Sequence, residues 1–560
     1  MLRRIALIFT LAAALVAAGR AQQPAPLASL RTTAESSGFK STSTYEDVVK
    51  FMKAVDTASP NVYYVPYGKT YEGREMPMVV IGTGLNDGSP ASVRATNRLR
   101  VHIQGNIHAG EVEGKEAAQV LIRELALGQH AEWLKTMVFL VTPIFNADGN
   151  ERFSLTNRQR QNGPINGMGT RQNAQNLNIN RDFMKLETPE GRAFVKLWND
   201  YDPQVGFDLH TSDGSYHGYY LTYSPPLNPD TSDLIMSLMK DQWFPFVTKN
   251  IKAKHGWDTF YYGNAPSGGR RGAAPGGPGA AGTGAAPPPP PQPAPSAPPT
   301  PRAWSTFEHV PRFHNNYVGM RNRFALLSEA YAYATFEDRI KVTNYFMEEA
   351  LQFAHEHVDQ IKKLAADADK ESIVGKTLAT RAQFKTGGLI DILMGEVEDE
   401  TNPVNGAVMN RRKNVVIPEK MTDRLWFEPS ATEVAGTEYY VPANATKALE
   451  LLRAHGIQMR PVTQPVSGVE QFAITGNTQR PANPSSIDTG SHGLRTLQGD
   501  WQAATDGTVP AGAFAVPMNQ PLARLAFYLL APTSDDGLTA WNYLDDLLQD
   551  AKVYPILRKK

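Results

Sequence analysis

The sequence predicts an α/β protein: a mixed, mostly parallel β-sheet flanked by helices, followed by a second region of mixed, β-containing structure. Three observations carry this expectation. Near-continuous apolar runs alternate with helical patterns between Val101 and Leu209, as strands covered on both faces require. A low-complexity stretch interrupts the chain at 266–301, and beyond about Lys370 short segments broken by Gly, Pro and Asn take over.

Arg3 and Arg4 precede an apolar run from Ile5 to Ala18, and Gly19-Arg20-Ala21 places small residues at −3 and −1 of a cut before Gln22. This is the layout of a secretory signal peptide over 1–21, and it predicts export to the periplasm or the medium. The run is shorter than the roughly 20 residues of a spanning helix, so no stable membrane insertion is expected after cleavage. A lead-in (22–44) precedes the first domain, 45–365.

Within that domain, Val101 to Ile107 reads as a strand and Glu111 to Leu127 as a helix with Ala117, Val120, Leu121 and Leu125 on one face. Met137 to Phe145 reads as a second strand. Pro189 opens a helix carrying Phe194, Leu197 and Trp198, and Gln204 to Leu209 is the next strand. From Pro266 to Pro301, 29 of 36 residues are Pro, Gly or Ala, a composition that cannot bury apolar surface. It reads as an insertion in a surface loop, because one site needs residues from both sides of it. Phe324 to Leu327 is again apolar. A single helix from about Glu337 to Leu364, with Ile340, Met347, Leu351, Ala354, Val358 and Ile361 on its buried face, closes the domain. Residues 370–560 form a C-terminal accessory domain with helices at Ala445 to His455, stopped by Gly456, and at Leu522 to Leu530.

Composition excludes several functions. The chain has 56 basic and 56 acidic residues, so no global field favours nucleic acid or an anionic membrane, and no nucleic-acid partner is expected. With no cysteine there is no thiolate nucleophile and no Cys-ligated zinc, and any metal must sit on His, Asp or Glu. The oligomeric state is left open.

In sheets of this kind ligands bind at the carboxyl ends of the strands. Four strand ends deliver polar groups: His108-Ala109-Gly110-Glu111 after Ile107, Asn146-Ala147-Asp148-Gly149 after Phe145, His210 after Leu209, and Ser328-Glu329 after Leu327. An imidazole and a carboxylate on one tight turn, with a second imidazole from a neighbouring strand, make a catalytic zinc set that leaves a position open for water. His108, Glu111 and His210 fit that description. Glu111 would also sit in the first turn of a helix, where the dipole favours its charge.

HxxE alone is a weak signal. Together with Asn176-Leu177-Asn178-Ile179-Asn180-Arg181-Asp182, Asp208-Leu209-His210-Thr211 and Leu326-Leu327-Ser328-Glu329-Ala330-Tyr331, it resembles the zinc carboxypeptidases of the carboxypeptidase A and B family, over roughly Tyr45 to Ala365. The resemblance implies an eight-stranded carboxypeptidase-like sheet, one Zn2+ per chain on His108, Glu111 and His210, and peptide or protein C-termini as substrate. It implies Glu329 as general base and acid, and Asn180 with Arg181 as the grip on the terminal carboxylate. It also implies an arginine that polarises the scissile carbonyl, Arg158 or Arg160 with Arg158 preferred, and a mobile tyrosine for which Tyr317 is the candidate. Two positions depart from the family: Asn178 stands where an aspartate often orients the first zinc histidine, and Gly110 where an arginine often lies. His210 and Glu329 are 119 positions apart, 36 of them in the insertion, which supports an insertion at the cleft's rim. Substrates with a carboxylate beside another amide bond, such as cell-wall peptides, and non-catalytic peptide binding remain as alternatives.

Other motifs have plainer readings. His355-Glu356-His357-Val358-Asp359 lacks the second histidine of HExxH and reads as a solvated helix face. Val374-Gly375-Lys376-Thr377 has no leading glycine or strand, Ser215 does not form GxSxG, and His217 reads as lining a loop.

Overall fold

The computed structural model describes residues 27–212, 214–265, 301–504 and 508–560. The signal-peptide segment 1–21 and all but the last residue of the 266–301 insertion lie outside them. Eight strands form the main sheet: β1 (Val62–Tyr64), β2 (Val79–Ile81), β3 (Leu99–Gly105), β4 (Met137–Thr142), β5 (Val205–Ser212), β6 (Leu221–Ser224), β7 (Thr259–Tyr261) and β8 (Phe324–Tyr331). Their spatial order is β1-β2-β4-β3-β5-β8-β6-β7. The central four, β4-β3-β5-β8, run parallel, while β2 and β6 pair with them antiparallel. The mixed, mostly parallel sheet thus has its parallel strands at the centre, with both of their faces covered.

Alternation along the strands feeds two apolar layers. Phe139 and Val141 of β4 face one layer, and Val138 and Leu140 face the other. The first is closed by helices α1 (Tyr45–Ala58) and α2 (Glu113–Ala126), and the second by α3 (Pro189–Tyr201). α1 starts at a reciprocal cap, in which the Thr44 hydroxyl accepts from the Asp47 N–H and the Asp47 carboxylate from the Thr44 N–H. α2 lies directly on β5 because residue 114 is glycine: a Cβ there would stand 2.5 Å from the Leu209 Cβ.

The chain then passes through α4 (His314–Met320), α5 (Phe336–Glu356) and α6 (Val358–Lys370). The single helix expected from Glu337 to Leu364 is therefore two. At His357 the backbone leaves the helix (φ −120°, ψ 23°), the ring stacks on Phe353 at 3.9 Å, and the Phe353 carbonyl meets both the His357 N–H (3.0 Å) and its Nδ1 (2.9 Å), so side chain and backbone share one acceptor at the helix end. Neighbouring Glu356 accepts from Gln352 at an exposed position.

The C-terminal region shares the second apolar layer. Helices α7 (Thr446–His455) and α8 (Ala523–Leu530) bring Leu449, Leu452, Phe527 and Leu530 into one cluster with Phe194, Trp198 and Tyr317. Two extensions then reach the carboxyl edge of the main sheet. The long hairpin β9 (Leu389–Thr401) and β10 (Val408–Arg424) lies along the 158–162 segment, where the Asn410 N–H donates to the Arg160 carbonyl at 2.9 Å and Asn162 Nδ2 to the Asn410 carbonyl at 3.1 Å. On the other side, the connection between β11 (Glu470–Gln479) and β12 (Arg495–Ala503) reaches the 178–181 turn.

Candidate metal centre and active site

Each proposed ligand stands just beyond, or near the end of, a parallel central strand. His108 follows β3, where a turn closed by the Glu111 N–H on the His108 carbonyl (2.9 Å) brings Glu111 back beside it. α2 starts at Glu113, so Glu111 precedes the helix, and the acids in its first turn are Glu113 and Glu116. His210 lies within β5, next to β3 in the sheet. One donor atom from each of the three lies within 4.8 Å of the others, and all three residues are buried. Among the described residues this is the one group of His and acidic side chains close enough to hold a metal ion.

The hydrogen bonds behind the ligands set which nitrogen faces forward. His210 Nε2 lies 2.8 Å from Asp208 Oδ2, and His108 Nε2 lies 3.0 Å from Asn178 Oδ1. Both partners are acceptors, so each Nε2 carries a hydrogen, which leaves Nδ1 as the nitrogen that can turn to a metal. The two Nδ1 atoms converge on the Glu111 carboxylate at 2.9 and 2.7 Å. Burial, reinforced by Arg171, pushes the His108 pKa down to about 3, which keeps its imidazole neutral. Burial also acts on Glu111, but His108, Arg158 and His210 outweigh it and hold the carboxylate well below its ordinary range. At His210, burial is outweighed by Asp208 and Glu111, which hold the pKa well above its ordinary value, so this imidazole carries a second proton that a metal would displace. With that proton gone, two imidazole nitrogens and one ionised carboxylate are a donor set that fits zinc.

Glu329 lies in β8, in register with His210 on the adjacent parallel strand. Residues paired in this way project from the same face about 4.8 Å apart, so Glu329 stands beside the metal cluster from the neighbouring strand. Arg158, in a left-handed backbone conformation (φ 47°), donates from Nη2 to Glu111 Oε1. Its side chain fills the space above Gly110, where a Cβ would meet the Arg158 Cδ at 2.8 Å. A longer residue at position 110 and this course of Arg158 exclude each other. Arg160 points away and bonds Asn410 at 3.4 Å, with Asp399 at 3.7 Å.

Asn180 and Arg181 form a short 3-10 turn. Asn180 Nδ2 lies 3.4 Å from His210 Nε2, and its Oδ1 accepts from the His314 N–H at 3.0 Å. The Arg181 guanidinium lies over the Phe313 ring at 3.6 Å, gives Nη1 to the Asn180 carbonyl at 2.8 Å and has Asp488 Oδ1 3.9 Å from Nε. Burial, with Arg171 adding repulsion, pushes its pKa down to about 9. The group is therefore still cationic at neutral pH, with its charge only partly compensated. Tyr317 is not brought to the cluster. It is fully buried in α4, its ring stacks on Phe183, and its hydroxyl is engaged by His455 Nδ1 (2.9 Å) and Arg321 Nη1 (3.2 Å). His217 is also outside the cluster, tilted against Tyr331 with ring centroids 4.1 Å apart.

These features occur together with a sequence match. The family described as zinc carboxypeptidase matches residues 48–254, which contain all three ligands and the Asn180–Arg181 turn. Over this span the chain is similar to the zinc carboxypeptidase family. Carboxypeptidase 2 of Trichophyton rubrum is 29% identical over 168 residues, covering 30% of this chain and 28% of that protein. Carboxypeptidase 2 of Trichophyton equinum is 28% identical over 150 residues, covering 26% and 24%. The chain thus spans only about a quarter of the length of the curated relatives it matches. Among solved structures, a metallo-carboxypeptidase from Burkholderia cenocepacia aligns at a TM-score of 0.38 and 17% identity over 56% of this chain and 69% of that one. Carboxypeptidase A from Helicoverpa armigera aligns at 0.38 and 16% over 60% and 76%.

Four residues of this candidate metal site escape sequence reasoning. Asp208 had a signal, since it lies two residues before His210 on one strand and therefore on the same face. Arg171, whose Nη1 lies 3.3 Å from His108 Nδ1 and 3.6 Å from Glu111, sits in an irregular segment with no periodicity to place it. His314 Nδ1 stands 3.5 Å from Asp208 behind His210, and it belongs to a stretch read only for Tyr317. Asp488 comes from the C-terminal region and carries no local signal at all.

Proposed function

We propose that this chain is an exported zinc-dependent metallocarboxypeptidase that hydrolyses C-terminal peptide bonds. The observation that carries the reading is the convergence of His108 Nδ1, Glu111 and His210 Nδ1 at the carboxyl edge of the sheet, with Glu329 one strand away and Arg181 on the Asn180 side. When bound by these ligands, zinc supplies Lewis-acid polarisation of the scissile carbonyl and of the attacking water.

The chain's own groups do the rest. Asp208 and Asn178 orient the two imidazoles. Glu329 accepts a proton from the attacking water and delivers it to the leaving amine, a transfer that suits a carboxylate on a rigid strand beside the cluster. The Arg158 guanidinium, next to Glu111, faces the side where negative charge develops on the carbonyl oxygen and stabilises it. Asn180 and Arg181 hold the terminal carboxylate, for which the planar fork of arginine offers paired donors. Tyr317 has no part in this scheme, because a buried phenol with two partners presents nothing to a substrate.

Asp488 beside Arg181 favours one second reading, in which the substrate is an amide whose anchoring group is not a free α-carboxylate. Hydrolysis of a peptide library by the full chain, with and without a chelator, tests the proposal: release of single C-terminal residues that stops on chelation supports it, and chelator-insensitive hydrolysis would reject it. The export half of the proposal rests on the charge and apolar pattern of the 1–21 segment.

A further inference from the structure

We infer that Asp488, delivered by the C-terminal region, is a positioning residue for the metal ligand His108, acting through the side-chain amide of Asn178. The inference rests on the metal-centre reading and extends the metal site to a residue 310 positions away in the chain. Asn178 has three polar neighbours in addition to its backbone. Its Nδ2 donates to Asp488 Oδ1 at 2.8 Å, its Oδ1 accepts from the Asn180 N–H at 3.1 Å, and the same Oδ1 lies 3.0 Å from His108 Nε2.

A carboxylate has no hydrogen to give, so only the NH2 end of the amide can face Asp488. The Oδ1 end must then face His108, whose Nε2 carries the hydrogen, and Nδ1 is left as the nitrogen whose lone pair a metal would take. Flipping the amide would set oxygen against oxygen at Asp488 and NH2 against the Asn180 N–H. It would also offer His108 a donor where it needs an acceptor, and so favour the wrong tautomer.

The C-terminal loop is held in place for this task. The Asn178 N–H donates to the Ile487 carbonyl at 2.8 Å, and four residues beyond Asp488, His492 bridges Glu187 (2.6 Å) and Asn542 (2.9 Å). Arg181, with Nε 3.9 Å from Asp488, keeps the carboxylate ionised: burial raises its pKa, but Arg181 and the Asn178 bond bring it below the ordinary value. The C-terminal region is thereby wired to the metal ligand itself as well as packed against the sheet.

The test is zinc affinity of the purified full chain, measured by competition with a chelator. Partners behind a metal ligand are typically worth 10-fold to 100-fold in affinity; acting at one remove, Asp488→Ala is expected to lose about tenfold. The decisive variant is Asp488→Ala/Asn178→Asp. It places a carboxylate directly against His108 Nε2 while leaving the bond to position 488 unmade, so it should return most of the affinity that Asp488→Ala loses. If Asp488 were only a loop anchor, the double variant would stay as weak as the single one, and that result overturns the inference. Unchanged affinity in Asp488→Ala also overturns it. Should that variant fail to fold, the isosteric Asp488→Asn, whose amide can offer Asn178 either face, is expected to lose about threefold, and no loss there is equally fatal. Absence of zinc on the unsubstituted chain would instead remove the metal centre, and the inference with it.

Discussion

In the proposed function Arg181 is the group that would hold a free C-terminus, and its surroundings set the size of the effect. The guanidinium is half-buried over Phe313, spends one donor on the Asn180 carbonyl and has its nearest carboxylate, Asp488, 3.9 Å from Nε, beyond hydrogen-bond range. A substrate carboxylate would meet a partly desolvated, under-compensated cation. Hydrogen bonds to charged groups are worth roughly 1.5–3 kcal/mol, which corresponds to about 10-fold to 150-fold in catalytic efficiency. Because Asp488 already offsets part of the charge, the loss should fall in the lower part of that range. The assay compares kcat/KM on a peptide acid and on its C-terminal amide, for the unsubstituted chain and for Arg181→Ala. The amide should be poorer on the unsubstituted chain. Arg181→Ala should lose a similar factor on the acid and little more on the amide, since one interaction cannot be removed twice. Equal rates on acid and amide in the unsubstituted chain would refute the reasoning and move the function to the second reading.

Three further outcomes are expected. His210→Ala removes one of three ligands and the Asp208-oriented imidazole, so elemental analysis should find most of the zinc gone, and a full zinc content would disprove the ligand set. Glu329→Gln should retain zinc while turnover falls ~100-fold to ~10,000-fold, and near-normal turnover in the zinc-loaded variant would point to another base. His492→Ala should destabilise the fold in a pH-dependent way, by on the order of 1 kcal/mol where the effect is largest. Glu187 is brought from 4.5 to about 2 because the His492 hydrogen bond and Lys185 outweigh burial, so its contribution is present above pH 4.5 and lost as pH falls through about 2. His492 is raised above 6.5 by Glu187 against the opposing effect of burial, so its contribution is present below pH 6.5 and lost as pH rises through its raised value. The loss of melting temperature should therefore be greatest between about pH 4.5 and 6.5 and shrink at alkaline pH; a loss that grows there would contradict the pairing.

Much of the first domain was legible in the sequence, because local periodicity and strand-end chemistry are local properties. The apolar runs at Val101, Met137, Gln204 and Phe324 became β3, β4, β5 and β8 within a few residues, since strands covered on both faces must be continuously apolar. His108, Glu111 and His210 stood out because a carboxyl-edge site selects the residues at or just beyond these runs. The Glu337–Leu364 pattern concealed a break, since both halves keep an apolar face and the interruption depends on how the His357 side chain meets the Phe353 carbonyl.

What only the tertiary structure decided is whatever depends on contact across long stretches of chain. Sequence spacing could not show that Tyr317 faces the layer formed with α7 and α8, that Arg158 lies over Gly110, or that Arg171 reaches His108. Asn178 read as a departure that left its histidine without a carboxylate behind it. The fold supplies that carboxylate from Asp488, because two regions that share an apolar layer bring together side chains 310 positions apart, at a range where a hydrogen bond forms.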